Sequence, residues 1–211
     1  MDHPKINEDY LDSGSFFDIF NEEDFYLNNR ILKNELVEKQ TINHPIVEQI
    51  IFDHVTFIDC DFEKFDVTDV IFKNCDLSNC FFAESSIYRV EFQHCKMIGT
   101  NFDSSYMNNV LFKDCLMDMS GLNKLNLKVV QFIDSSLKDA SFNENKLVKT
   151  AFKNCDLNKM TILNTSLKTM DFSSCQFETI DIEQESIKGL KVNSEQATFL
   201  ANYFLGVKIV Y

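Results

Sequence analysis

The sequence predicts an all-β fold of one kind, a four-sided solenoid of about seven coils. Three observations predict it. Every fifth residue from Phe52 to Val192 is apolar, with no insertion in the count. Residues twenty apart repeat more closely still: Phe52, Phe72, Phe92, Phe112, Phe132, Phe152 and Phe172 are all phenylalanine. The only prolines, Pro4 and Pro45, precede this run, so no residue in it lacks a backbone N–H for a ladder between coils.

A period of five matches neither the two-residue alternation of a strand nor the 3.6-residue turn of a helix. Two residues before each apolar centre stands a small or β-branched one, as at Val55, Cys60, Val70, Cys75, Cys80, Ser85 and Val90, and the other three positions are mostly polar. Two inward and three outward positions describe a chain that turns a corner once per five. The twenty-residue repeat makes four such corners one coil, with four columns of centres starting at Phe52, Phe57, Phe62 and Val67. At the ~4.8 Å spacing of hydrogen-bonded strands the regular run is ~34 Å long.

Residues 1–24 hold eight acidic residues against Lys5 alone, with Phe16, Phe17, Ile19 and Phe20 among them; they are expected to form an acidic N-terminal arm or a cap. Residues 25–50 keep the beat at Leu27, Leu32, Val37, Ile42 and Val47, but Arg30, Glu35, Gln40 and Pro45 fall at the small positions, so a degraded first coil is expected. Residues 50–192 are the repeat itself. Residues 193–211 read as a capping helix and a strand. Ser194 is the expected N-cap, Glu195 suits the first turn, Ala197, Leu200, Ala201 and Phe204 share one face, and Gly206 stops the helix before a strand over Val207–Tyr211. A solenoid core is one-dimensional, so both ends need such caps.

The seven cysteines are all at inward positions. Cys75, Cys95 and Cys115 fall in one straight column, which cannot converge on a tetrahedral zinc ion, and stacked coils slightly exceed disulfide reach. They read as small hydrophobes in a reduced, cytoplasmic chain. His54 and His94 share a column two coils apart, ~10 Å by strand spacing, too far to chelate one ion. No Ser-His-Asp set, glycine-rich phosphate loop or HExxH appears. No enzyme, metal, cofactor or small-molecule substrate is expected, and no stretch approaches the ~20 apolar residues of a membrane span.

The net charge of −13 is unevenly spread. The Phe57 and Phe62 columns carry Asp59, Asp61, Glu63, Asp76, Glu84, Asp103, Asp118, Asp139, Glu144, Asp156, Glu178, Asp181 and Glu183 against five lysines, a net −8. The other two columns balance near neutrality. Two adjacent walls are therefore acidic, in a fold with no pocket. B-DNA carries one charge per ~1.7 Å of axis, so these walls are a dilute imitation of it.

Fives such as Cys60-Asp61-Phe62, Cys75-Asp76-Leu77, Thr100-Asn101-Phe102 and Cys155-Asp156-Leu157 resemble the pentapeptide-repeat consensus over roughly residues 50–190. The resemblance implies a right-handed quadrilateral β-helix. The tail from Val192 to Val207 resembles the C-terminal cap of the quinolone-resistance (Qnr) branch, in which a helix closes the solenoid and mediates a dimer. Enteric members of that branch carry two register-breaking loops; the unbroken count here makes this chain similar to a loopless relative. The resemblance implies a DNA-mimicking binder of DNA gyrase or topoisomerase IV, inhibiting or protecting it, that uses the acidic walls without touching nucleic acid. It also implies a homodimer through Phe199, Leu200, Tyr203, Phe204, Val207, Ile209 and Tyr211. The alternative is a structural protein-interaction module, with acidity serving solubility alone.

Overall fold

In the computed structural model the chain is a parallel β-solenoid of about eight turns with one C-terminal helix. The structure describes every residue except 22, 209 and 211. Its strands are β1 (Asp12–Ser13), β2 (Tyr26–Lys33), β3 (Leu36–Glu38), β4 (Ile46–Asp53), β5 (Thr56–Ile58), β6 (Asp66–Lys73), β7 (Ser86–Gln93), β8 (Tyr106–Lys113), β9 (Asn126–Ile133), β10 (Lys146–Val148), β11 (Ala151–Lys153), β12 (Thr161–Ile162) and β13 (Asp181–Ile182), followed by helix α1 (Ser194–Leu205). The main sheet runs β1-β2-β4-β6-β7-β8-β9-β10, with β11 also on β9, and the pairings are parallel. The register is twenty throughout: Phe52 pairs with Phe72, Phe72 with Phe92 and Phe92 with Phe112.

The five-residue beat is a backbone event. From Asn29 to Asn164 the residue two past almost every centre has a positive φ near 50–70°, so the chain turns once per five and four times per coil. Left-handed backbone is costly for L-residues other than glycine, and least so for Asn and Asp. That is why Asn34, Asn74, Asn79, Asp59, Asp114, Asp134 and Asp139 stand at these corners. Inside, the phenylalanine column stacks face to face from Phe52 to Phe152, with centroids 4.6–4.9 Å apart and planes within 8°. Phe172 ends the file edge-on to Phe152, at 83°.

The four walls are not alike. The Val67 and Phe52 columns share continuous eight-residue strands. The Phe57 and Phe62 columns are turn-rich and joined for most of their length by single bridging pairs, such as Asp76 with Lys96 and Phe81 with Asn101. The acidic residues therefore lie on the walls with the least regular strand.

Both ends depart from expectation. Residues 25–50 are not degraded: β2 pairs with β4 from Tyr26↔Ile46 to Lys33↔Asp53, and β3 pairs with β5. Arg30, Glu35 and Gln40 are accommodated because this coil ends the stack, where these three stay half-buried while the centres Leu27, Leu32, Val37 and Ile42 are buried. Residues 1–24 supply both an arm and a plug. The arm runs along the solenoid: Asp2 N donates to Asn109 Oδ1 (2.8 Å), His3 Nδ1 meets Glu91 Oε1 (2.6 Å) and Lys5 N donates to Asp69 Oδ1 (2.8 Å). These anchors belong to successive coils of the continuous-strand walls. β1 then pairs with Arg30 and Ile31, and a 3-10 helix at Phe16–Asn21 closes the end. Phe16 and Ile19 are fully buried, and Phe16 lies 5.5 Å from Phe57 and 5.4 Å from Phe62. The first coil carries Val37 and Ile42 in those columns, and Phe16 fills the room these smaller residues leave. Glu35 accepts from Phe16 N (2.8 Å) and from the Ser15 hydroxyl, which holds the plug in place.

At the other end the N-cap is Asn193, one residue earlier than expected. Its side chain accepts from Gln196 N, and Gln196 Oε1 accepts from Asn193 N, a capping box. The buried face of α1 is also different: Ala197 is exposed and Gln196 is buried. Gln196 Nε2 donates to the carbonyls of Phe172 (2.9 Å) and Cys175 (2.8 Å), acceptors that no further coil is there to bond. Gly206 is left-handed (φ 65°) and ends the helix. The expected strand over Val207–Tyr211 does not form: Val207, Lys208 and Val210 are irregular, and residues 209 and 211 lie outside the described residues.

Candidate functional site

All thirteen carboxylates named from the sequence point outward, exposed or half-buried, on the two turn-rich walls. They fall into six files. Asp76 and Asp156 precede a centre of the Phe57 column, Asp118 and Glu178 follow one, and Asp59 and Asp139 occupy its left-handed corner. Asp61 and Asp181 precede a centre of the Phe62 column, Glu63, Asp103 and Glu183 follow one, and Glu84 and Glu144 take its corner.

These carboxylates have different duties. Asp76 Oδ1 accepts from Ser78 N (3.0 Å) and Asp156 Oδ1 from Asn158 N (3.1 Å), each closing an Asx turn. Their second oxygens pair with lysines one coil away, Asp76 with Lys96 (3.0 Å) and Asp156 with Lys138 (3.2 Å). At Asp76 burial pushes the carboxyl up, but hydrogen bonds from Ser78 and Lys96 outweigh it and hold it below its usual range. Asp118 accepts from the Ser136 hydroxyl (2.5 Å) and Lys138 N (3.0 Å). Asp103 accepts from Asn123 N and Nδ2, the first rung of a ladder that continues through Asn143. Glu183 accepts from Asn164 N (2.6 Å), and Asp181 from the Tyr203 hydroxyl (3.3 Å). Among the described residues, Asp59, Asp61, Glu63, Glu84, Asp139, Glu144 and Glu178 make no side-chain hydrogen bond or ion pair, and Asp61 Oδ1 is buried. The six other than Asp61 carry unneutralised charge at the surface of the two walls.

All seven cysteines are free and buried, and Cys75, Cys95, Cys115 and Cys155 each direct Sγ at a carbonyl 23 residues back at 3.4 Å. Hydrogen bonds along the thiol column push Cys95 up and hold its neighbours Cys75 and Cys115 down, against the burial that raises all three. Among the described residues no group of His, Cys, Asp or Glu converges as a metal site, and no helix is long and apolar enough to cross a membrane.

At the C-terminal end the expected dimer residues divide. Leu200 is buried on the last coil, while Phe199 packs edge-on against Phe177 (5.8 Å) and stacks on Tyr203 (5.5 Å). Phe204 is half-buried against the core. Tyr203, Leu205, Val207 and Val210 are exposed. Ile209 and Tyr211 lie outside the described residues.

Sequence reasoning missed the anchors of the arm. Arg89 grips Asp69 with two hydrogen bonds (Nε to Oδ1 and Nη2 to Oδ2, both 2.5 Å), and both side chains are largely buried. The signal was present: opposite charges twenty apart lie side by side on adjacent coils. The arm covers the balanced walls and leaves the acidic walls open.

The pentapeptide repeat region profile matches residues 65–142 and 125–199, most of the chain. The chain belongs to the pentapeptide-repeat family. The profile of the SV2A/B/C luminal domain also matches residues 19–102, less than half of the chain. No curated protein matches the sequence. Among solved structures this pentapeptide-repeat chain is similar to full-length QnrB1, a plasmid-mediated fluoroquinolone resistance protein, with TM-score 0.42, 22% identity, and 84% of this chain and 91% of that one covered. It is also similar to HetL, a pentapeptide repeat protein involved in heterocyst differentiation regulation from the cyanobacterium Nostoc sp. strain PCC 7120, with TM-score 0.37, 11% identity, and 79% and 86% covered. Likeness at these values says nothing of function.

Proposed function

We propose that this pentapeptide-repeat protein binds a type II DNA topoisomerase, DNA gyrase or topoisomerase IV, in place of DNA, and modulates its activity. It does so by binding alone, without catalysis or cofactor, in the cytoplasm where the topoisomerase acts. One observation carries the reading: two adjacent walls of a straight rod hold thirteen outward carboxylates, and the protein's own arm leaves those walls open. Spread over an axis of ~38 Å, these carboxylates offer a basic DNA-binding saddle a negative surface more dilute than the one charge per ~1.7 Å of DNA. The cap's resemblance to the quinolone-resistance branch supplies the choice of topoisomerase. In this reading the exposed Tyr203, Leu205, Val207 and Val210 join two copies end to end and lengthen the mimic.

The test uses carboxylates with no structural duty. Glu84→Lys, Asp139→Lys and Glu144→Lys together leave turns and ion pairs intact, and lysine already occupies equivalent corners at Lys64, Lys124 and Lys159. The parent should alter gyrase supercoiling at micromolar concentration, and the triple variant should not, although its melting temperature is unchanged. Equal effects from both would reject DNA mimicry. Running the assay with and without a quinolone separates inhibition from drug protection. A second reading, a structural interaction module without a topoisomerase target, draws on Asp76 and Asp156, whose acidity serves turn chemistry. Absence of any effect of the parent on supercoiling selects it.

A further inference from the structure

The N-terminal plug has two faces, and only one is explained by plugging. In a 3-10 helix side chains three apart eclipse one another. Phe16 and Ile19 share the face buried in the solenoid, so Phe17 and Phe20 share another, and that one points away from the core. Phe17 is 42% exposed, Phe20 47% and Phe25 36%. Phe17 stacks on Phe20 at 6.5 Å, and Phe20 meets Phe25 edge-on at 6.0 Å, so the three rings form one continuous aromatic patch. A cap that only sealed the rod would carry polar residues here.

The backbone of Phe25 is left-handed, with φ 51°, a conformation that is strained for a bulky side chain. The surroundings identify the partner's chemistry. Residues 15–25 contain Asp18, Glu22, Glu23 and Asp24 and no lysine or arginine. A shallow recess lined by Glu23, Asp24, Tyr26 and Ile46 adjoins Phe25 in the chain, and its two carboxylates suit a cationic side chain. A second copy brought against this end would set like charges face to face, and an anionic surface would be repelled in the same way.

We propose that the aromatic patch Phe17-Phe20-Phe25 at the N-terminal end of the rod is a docking site for a basic amphipathic protein segment, whose apolar side chains cover the rings and whose lysines or arginines meet the carboxylates around them. This site is at a capped end, apart from the acidic walls, and does not depend on a topoisomerase target.

The experiment is fluorescence anisotropy with a labelled amphipathic peptide of leucine and lysine, against a control peptide in which serine replaces every leucine. The full-length protein should bind the leucine–lysine peptide at least about tenfold more tightly than the control, a difference of ~1.4 kcal/mol. Phe17→Ser with Phe20→Ser should lose at least about tenfold, and Glu23→Gln with Asp24→Asn should weaken binding and its salt dependence together. Phe25→Asn separates use from architecture: asparagine tolerates the left-handed backbone, so this variant should melt higher than the parent yet bind less. Equal binding of the two peptides, or full binding by the double serine variant, places the contact on the acidic walls and overturns the proposal. So does failure of the parent to bind. Light scattering completes the test: a drop in oligomer mass in the double serine variant would make the patch a contact between copies and also overturn it.

Discussion

Val129 is the residue least suited to its backbone. Its φ is 57°, and its equivalents on neighbouring coils are Asn109, Arg89 and Asp69, at the same corner. A β-branched side chain in the left-handed region is strained by about 1–3 kcal/mol, and asparagine relieves part of that. Val129→Asn should raise the unfolding free energy by about 1 kcal/mol in urea titration; a fall would show that the valine packs usefully against a neighbour. Asp69 has the opposite character. Burial pushes its carboxyl up, but the hydrogen bond from Arg89, the Lys5 N–H and the charges of both outweigh this, and the carboxyl lies below its usual range. A depressed folded value means that the contribution is present above the ordinary ~3.9 and is lost as pH falls through the folded value. The protection factor of the Lys5 amide, its exchange rate relative to the unprotected rate at the same pH, should therefore be high at pH 5 and fall only below the ordinary carboxylate range. Equal protection in Asp69→Asn across that range would show that the carboxylate does not hold the arm.

At the scale of elements, the phenylalanine column is a single continuous support. Phe112 lies 4.9 Å from Phe92 and 4.9 Å from Phe132, so truncating it leaves a void bounded by rings above and below. Phe112→Ala should cost about 3–5 kcal/mol. Phe177, half-buried near the end of its column, should cost clearly less when truncated in the same way. Denaturant titration of the pair checks this, and equal losses would contradict a core that thins toward its C-terminal end. The two caps close that axis by different means. Phe16 fills volume in a coil whose centres are small, whereas Gln196 donates to the Phe172 and Cys175 carbonyls where no further coil follows.

The whole molecule is a rod with two open acidic walls, two walls partly covered by its own arm, and two unlike ends. Binding through the acidic walls should weaken steeply with ionic strength, because attraction between exposed charges is screened within about 8 Å at physiological salt. Supercoiling modulation that stayed constant between low and moderate salt would exclude charge as its source. The proposed end-to-end dimer belongs to this scale as well. Tyr203 is 49% exposed, and Tyr203→Glu should halve the mass seen by light scattering; an unchanged mass would place any association elsewhere.

The coil, its length of twenty residues, the inward thiols and the two acidic walls were determined by sequence alone, because each follows from a rule applied locally and repeated. Side-chain size every five residues decides what faces in, and stacking like on like decides what lies above it. The arm, the plug and the division of labour among the carboxylates were decided only in the tertiary structure. Lys5 meets Asp69 and Asp2 meets Asn109 across long stretches of chain with no period to announce them. Residues 25–50 looked irregular because their inward positions carry polar side chains, and only the end of a stack leaves such positions half in water. Asp76 and Asp139 are the same residue type on the same wall, yet one closes a turn and pairs with Lys96 while the other is free. Asp76 precedes its centre, where one oxygen reaches Ser78 N two residues on and the other reaches Lys96 on the next coil, whereas Asp139 stands at the left-handed corner and reaches neither kind of donor.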